Sequence, residues 1–109
     1  VSTSSPFKEG DHFGAGEPIL YIRGSFKHIV DLETLLLQKI GPACIAAANA
    51  YQMCLDLPKT SFIAMDARHC AGTEMSELMS YAASVGSKSA KRKKAKNLFF
   101  IELAYPGYG

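Results

Sequence analysis

The feature that most limits the fold lies in the second half of the chain. There an apolar run, a polar loop, an amphipathic stretch and a second apolar run follow one another between Ser61 and Ala104. The run Ser61–Asp66 is short, apolar and bounded by polar residues, which predicts a buried strand. Ala67–Gly72 reads as a loop. Thr73 has the chemistry of a helix N-cap, and Glu74 and Glu77 in the first turn suit the positive end of a helix dipole. Met75, Leu78, Met79, Ala82 and Ala83 recur at helical spacing and predict one apolar face. Gly86 is expected to weaken this helix near its end. Leu98–Ala104 predicts a further strand, and Tyr105–Gly109 an abrupt, turn-like close. A helix between two strands is a crossover, so the pair should be parallel. One such unit cannot cover both faces of a sheet. The pattern therefore predicts an α+β or α/β chain that is an excerpt of a larger sheet or barrel.

The first half prepares that unit. Val1–Gly16 is rich in Ser, Gly and Pro and reads as an irregular entry, with a turn at Lys8–Asp11. Glu17–Phe26 has strand composition, and Pro18 is tolerated near its start. Asp31 is placed as an N-cap for a helix carrying Leu32, Leu35, Leu36 and Ile40. Gly41-Pro42 is expected to interrupt it, with Pro42 in the first turn of a second helix over Ala43–Leu57. The alanines there allow close approach, so this helix should be well buried. Pro58 should end it.

Composition narrows the class. Hydrophobic residues make up 48% and charged residues 20% of the 109, which excludes wholesale disorder. The longest apolar runs, Ala43–Ala48 and Leu98–Ile101, are far shorter than the roughly 20 residues of a membrane span. No secretory signal pattern stands at the start, so a cytoplasmic protein is expected. A chain starting at Val1 is expected to be a fragment. Cys44, Cys54 and Cys70 form an odd set without CxxC spacing, which predicts reduced thiols rather than a disulfide framework. His69-Cys70 supplies only two adjacent candidates for a structural zinc, so no metal ligands are assigned.

Charge is concentrated. Six of the twelve basic residues lie in Lys88–Lys96, and the remaining six stand against ten acidic residues, a balance of −4. Such a block reads as a solvated segment or helix end. A nucleic-acid patch is the sharper alternative, but no aromatic residue interleaves the block, and a nucleic-acid partner is not expected.

Sites in parallel α/β folds form where strands end and helices begin. Asp66, Arg68 and His69 are the most polar cluster at such a place. Arg68 offers a planar donor fork for phosphate or carboxylate. His69 can donate to the same anion or act as acid or base. Gly72 and Thr73 can present backbone N–H groups to an anion. The bland alternative is an Asp66–Arg68 ion pair with His69 exposed in a structural loop. His12 and His28 lack partners at metal-ligand spacing, and Tyr21 and Tyr51 read as packing residues.

Four segments in order, Gly16–Gly24 (GEPILYIRG), Asp31–Leu37 (DLETLLL), Asp66–Gly72 (DARHCAG) and Tyr81–Gly86 (YAASVG), together resemble the nicotinate phosphoribosyltransferase family. The likeness runs from Phe7 to Arg92. It implies a sandwich domain packed against an irregular α/β barrel, in a homodimer whose active site lies between subunits. Residues 1–60 would then be part of the N-terminal sandwich domain with its linking helices. Residues 61–92 would open the barrel with its first β-α-β unit. Residues 93–109 form a divergent tail, where the likeness ends.

The resemblance also implies a reaction. The family joins nicotinate to phosphoribosyl pyrophosphate, giving nicotinate mononucleotide and pyrophosphate for NAD biosynthesis. ATP is hydrolysed through a phosphorylated histidine, and Mg²⁺ accompanies the phosphates. By position, Arg68 matches the arginine after the first barrel strand, and with His69 it is assigned to substrate binding. No catalytic residue is assigned, because the phosphorylated histidine and the phosphate-binding glycine loops belong to parts of the family's fold outside the matched segments. This fragment alone is therefore expected not to turn over. The alternative function is a small basic-tailed module that binds nucleic acid or an acidic partner.

Overall fold

A computed structural model describes residues 1–93 and 101–103. The fold is mixed α+β, with three α-helices and two two-stranded sheets among the described residues. The chain divides into two compact units, Val1–Gly41 and Pro42–Gly109.

The first unit is built on an antiparallel pair. Strand β1 (Ser2–Ser4) lies beside β2 (Tyr21–Arg23), with Ser2 opposite Arg23 and Ser4 opposite Tyr21. Two expectations are corrected here. Val1–Gly16 is not wholly irregular, because it contributes β1. The strand expected over Glu17–Phe26 is confined to three residues. Pro18 has no N–H to give a ladder, and Phe26 already opens a helix. The long connection is held by Ser5 Oγ donating to the Ile19 carbonyl at 2.6 Å. The turn expected at Lys8–Asp11 is present. Asp11 N–H donates to the Lys8 carbonyl, and Asp11 Oδ2 accepts from Lys8 N–H at 2.8 Å. Phe7 and Phe13 rings meet at 5.9 Å.

Helix α1 (Phe26–Val30) was not anticipated. It is a single turn with Ser25 at its N-cap. Asp31 closes this helix as its C-cap instead of opening the next one.

Helix α2 (Glu33–Asp56) is one continuous helix of 24 residues with Pro42 inside it, not two helices broken at Gly41-Pro42. Pro42 deprives the Gln38 carbonyl of its i+4 donor, which typically costs about 3 kcal/mol. The usual clash of a proline ring with the preceding Cβ is absent, because residue 41 is glycine. The helix continues into an alanine-rich stretch with high intrinsic propensity. Ala50 and Cys54 are buried, and Ala43, Ala46, Ala47, Tyr51 and Leu55 are half-buried. Ile45 and Met53 are exposed, so α2 buries one face and not its whole circumference.

In the second unit, strand β3 (Phe62–Ala64) pairs in parallel with β4 (Ile101–Leu103), Phe62 opposite Ile101 and Ala64 opposite Leu103. Helix α3 (Gly72–Lys93) connects them and lies against β4. The β-α-β unit with a parallel pair, expected from the sequence, is present. Of the strand expected over Leu98–Ala104, Leu98–Phe100 and Ala104 lie outside the described residues, as does the turn-like end Tyr105–Gly109.

The core of this unit is the contact of α2 with α3. Cys54 of α2 and Ala90 of α3 are each 2% exposed, with Tyr51 and Leu55 packed on them. Ser76, Met79, Ser80, Ala82, Ala83, Ser87 and Ser89 are also buried on α3. Gly86 does not mark the end of the helix. It lies inside α3, which runs on to Lys93 through part of the basic block, and a Cβ there would stand 2.0 Å from the Ala47 carbonyl oxygen. The missing side chain is what lets the two backbones meet. Ile63 in β3 and Met65 just after it are 52% and 74% exposed.

Candidate functional site

The site is the segment from the end of β3 to the start of α3. Asp66 leaves the strand with φ −96° and ψ 0°, and Ala67–His69 form one 3-10 turn. His69 N–H donates to the Asp66 carbonyl at 2.9 Å, and Cys70 N–H to the Ala67 carbonyl at 3.2 Å. The half-buried Cys70 adds a thiol bond to the Asp66 carbonyl at 3.4 Å. This backbone network holds the turn, and its consequence is that Arg68 and His69 both stand exposed just past the strand.

The chain then enters α3 through Gly72, whose φ of +88° is the left-handed region that glycine accepts without strain. Thr73 is not the N-cap, because the helix already begins at Gly72. The preceding residue, Ala71, has no side-chain acceptor, and its own N–H donates to Met75 Sδ at 3.2 Å. Ser76 Oγ donates back to the Gly72 carbonyl at 3.3 Å. The positive end of α3 is therefore not capped by an oxygen side chain of Ala71, while Glu74 complements it from the first turn.

Asp66 departs from the expected ion pair. Its Oδ1 is buried and has no hydrogen-bond partner, so the bond to Arg68 is not made through that oxygen. Nor does the carboxylate cap the turn it precedes. The structure thus places Arg68 and His69 side by side in sequence and open to solvent, with an unpartnered carboxylate oxygen two residues before Arg68. An exposed guanidinium and imidazole beside a helix N-terminus can receive a phosphate or carboxylate by charge-assisted hydrogen bonds.

A second contact escaped the sequence reading. His28 Nδ1 lies 2.6 Å from Ser25 Oγ in α1, a pair whose only signal is Ser and His three residues apart. Both are exposed, and the contact ties the first turn of that short helix.

Cys44, Cys54 and Cys70 are all free thiols, Cys54 buried and the other two half-buried. Among the described residues, no three His, Cys, Asp or Glu side chains stand close enough together to hold a metal ion. No helix of the described residues is long and apolar enough to cross a membrane. Comparison of the chain with protein-family models, curated proteins and solved structures gives no match.

Proposed function

We propose that this chain is part of a nicotinate phosphoribosyltransferase, carrying the end of the N-terminal domain and the first β-α-β unit of the barrel. In this reading the Arg68–His69 turn binds the anionic groups of nicotinate and phosphoribosyl pyrophosphate. The observation that carries it is the exposed Arg68–His69 pair at the carboxyl end of a parallel strand, directly before a helix N-terminus. The ordered likeness of four separate segments supports it independently.

The chemistry demands what the turn offers. The pyridine nitrogen forms a bond to C1 of the ribose as the bond from C1 to pyrophosphate breaks. The electron pair leaves with pyrophosphate. Both reactants are anionic, and fixed positive charge lowers the cost of bringing them together and of the charge gathering on the leaving group. Arg68 can pair with two oxygens of one anion at once. His69 can add a donor to the same group.

Mg²⁺ belongs to this reading as an ion that arrives on the substrate phosphates. The described residues offer no cluster of His, Cys, Asp or Glu to hold it. ATP belongs to the reading as a co-substrate, with its phosphorylated histidine outside the matched segments. The pure chain should therefore bind without turnover. A homodimer, the cytoplasm and a place in NAD biosynthesis follow from the same reading.

The test is amide chemical-shift mapping of the pure chain with magnesium pyrophosphate. Shifts centred on Arg68, His69, Gly72 and Thr73, lost in Arg68→Ala, are the expected result. Pyrophosphate binding that Arg68→Ala leaves intact, or no binding at all, refutes the assignment of the turn.

A further inference from the structure

We propose that Ser25 is an acyl-accepting nucleophile, with His28 as its general base, toward small activated carboxylic esters. The pair lies in the first unit and does not depend on the phosphoribosyl reading.

Ser25 stands at the N-cap of α1, where a serine hydroxyl ordinarily accepts from a backbone N–H of the first turn. Here the side chain makes no such bond. The N–H groups of His28 and Ile29 both donate to the Ser25 carbonyl instead, each at 3.1 Å. Backbone thus closes the turn, and the hydroxyl is released from capping. Helical side chains lean toward the N-terminus, which carries the His28 ring back over Ser25. Oγ and Nδ1 meet there at 2.6 Å. With the imidazole proton on Nε2, Nδ1 accepts from the hydroxyl. Apart from His28, Oγ has no hydrogen-bond partner among the described residues. Its lone pairs are free to attack, and both residues are exposed. A hydroxyl held against an imidazole nitrogen is the pairing that activates a weak oxygen nucleophile.

The step balances without a further reagent. Oγ bonds to the carbonyl carbon of the ester as its proton passes to Nδ1. The adduct collapses, the bond from that carbon to the leaving oxygen breaks, and the electron pair departs with the leaving group. The proton follows it or passes to solvent. Acyl-Ser25 remains. Water, giving a proton to the same nitrogen, later attacks it and releases a carboxylic acid and the free hydroxyl. The surroundings set the substrate class. The His28 and Ile29 amides are committed to the Ser25 carbonyl and do not hold an oxyanion. Among the described residues, no carboxylate bonds the other ring nitrogen, so the pair is a dyad and not a triad. An amide should therefore resist it, while an ester with a stable leaving group needs less help. Acyl-Ser25 is itself an unactivated ester and should accumulate.

The test mixes the full chain with p-nitrophenyl acetate. Release of p-nitrophenol is followed by absorbance, and the acetyl group is located by peptide mass mapping. Lysines, thiols and the N-terminal amine also react with this probe, so the quantity read is the hydroxylamine-labile acetyl on Ser25 itself. The expected result is that label in the parent chain, none at residue 25 in Ser25→Ala, and a rate about tenfold or more slower in His28→Gln. Ser25→Cys, which keeps a nucleophile beside the same base, should be labelled at residue 25 at least as fast as the parent. Circular dichroism shows that each variant is folded, as expected for exposed side chains. Acetyl found only on lysine, cysteine or the N-terminus of the parent chain overturns the proposal. So does labelling of Ser25 at the parent rate in His28→Gln.

Discussion

Substituting Gly86 by alanine tests the central packing contact. The added Cβ would lie 2.0 Å from the Ala47 carbonyl oxygen, 2.8 Å from its carbonyl carbon and 3.0 Å from its Cα. All three are backbone atoms of a helix, so no side chain can rotate away. Ordinary contact begins at 3.4 Å, and α2 and α3 must therefore separate by about 1.4 Å along that line. Overpacking of this kind typically costs about 1–3 kcal/mol, and the upper end applies where backbone blocks the way. Alanine returns about 1 kcal/mol through its better helix propensity. The net expectation is a loss of about 2 kcal/mol. In a chain of this size that lowers the melting temperature by roughly 10 °C. Thermal and urea unfolding followed by circular dichroism at 222 nm read it directly. An unchanged or raised midpoint for Gly86→Ala would refute the close approach of the two helices.

Pro42→Ala should act in the opposite direction, restoring a donor for the Gln38 carbonyl and stabilising α2 by about 1–3 kcal/mol in urea unfolding; a lower midpoint would mean the proline is favoured by packing. Under native conditions a thiol reagent should modify Cys44 and Cys70 well before Cys54, whose labelling should follow unfolding of the α2–α3 contact. Equal rates for all three would contradict the buried position of Cys54. The Lys88–Lys96 block should give only weak, nonspecific binding to single-stranded RNA, with dissociation constants of about 10⁻⁴–10⁻⁶ M at physiological salt. Submicromolar binding that collapses as salt is raised would instead favour the binding-module reading.

The parts of the fold that were legible in the sequence are those where one local pattern had no rival. Strand, polar turn and amphipathic helix in the second half follow from the bounded run at Phe62–Ala64 and the spacing of Met75, Leu78, Met79, Ala82 and Ala83. The misjudged parts are those where a residue's meaning depends on a neighbour distant in sequence. Gly41-Pro42 has the composition of a helix break, yet the absent Cβ and the alanine-rich continuation carry the helix through. Gly86 looks like a weak point until Ala47 is known to lie against it. Strand β1 is Ser-Thr-Ser, without apolar alternation, and exists through its pairing with β2. At the site, the exposure of Arg68 and His69 follows from their place after an apolar strand. The orphaned Asp66 oxygen does not, because spacing alone pairs it with the nearest arginine.

The parallel register of β3 and β4 also fixes an order of events in folding. Phe62 meets Ile101 only after the whole of α3 has been traversed, so this pairing closes a long loop for a ladder of three residues. Loop closure must be met before such a short ladder returns anything. Helix α3 forms from contacts within a turn and can find α2 through Gly86 and Ala90 without the sheet. The helical pair is thus the natural nucleus, and the strand pair is the late, weakly held part. The Arg68–His69 turn hangs between them, anchored on its α3 side to the early element and on its β3 side to the late one.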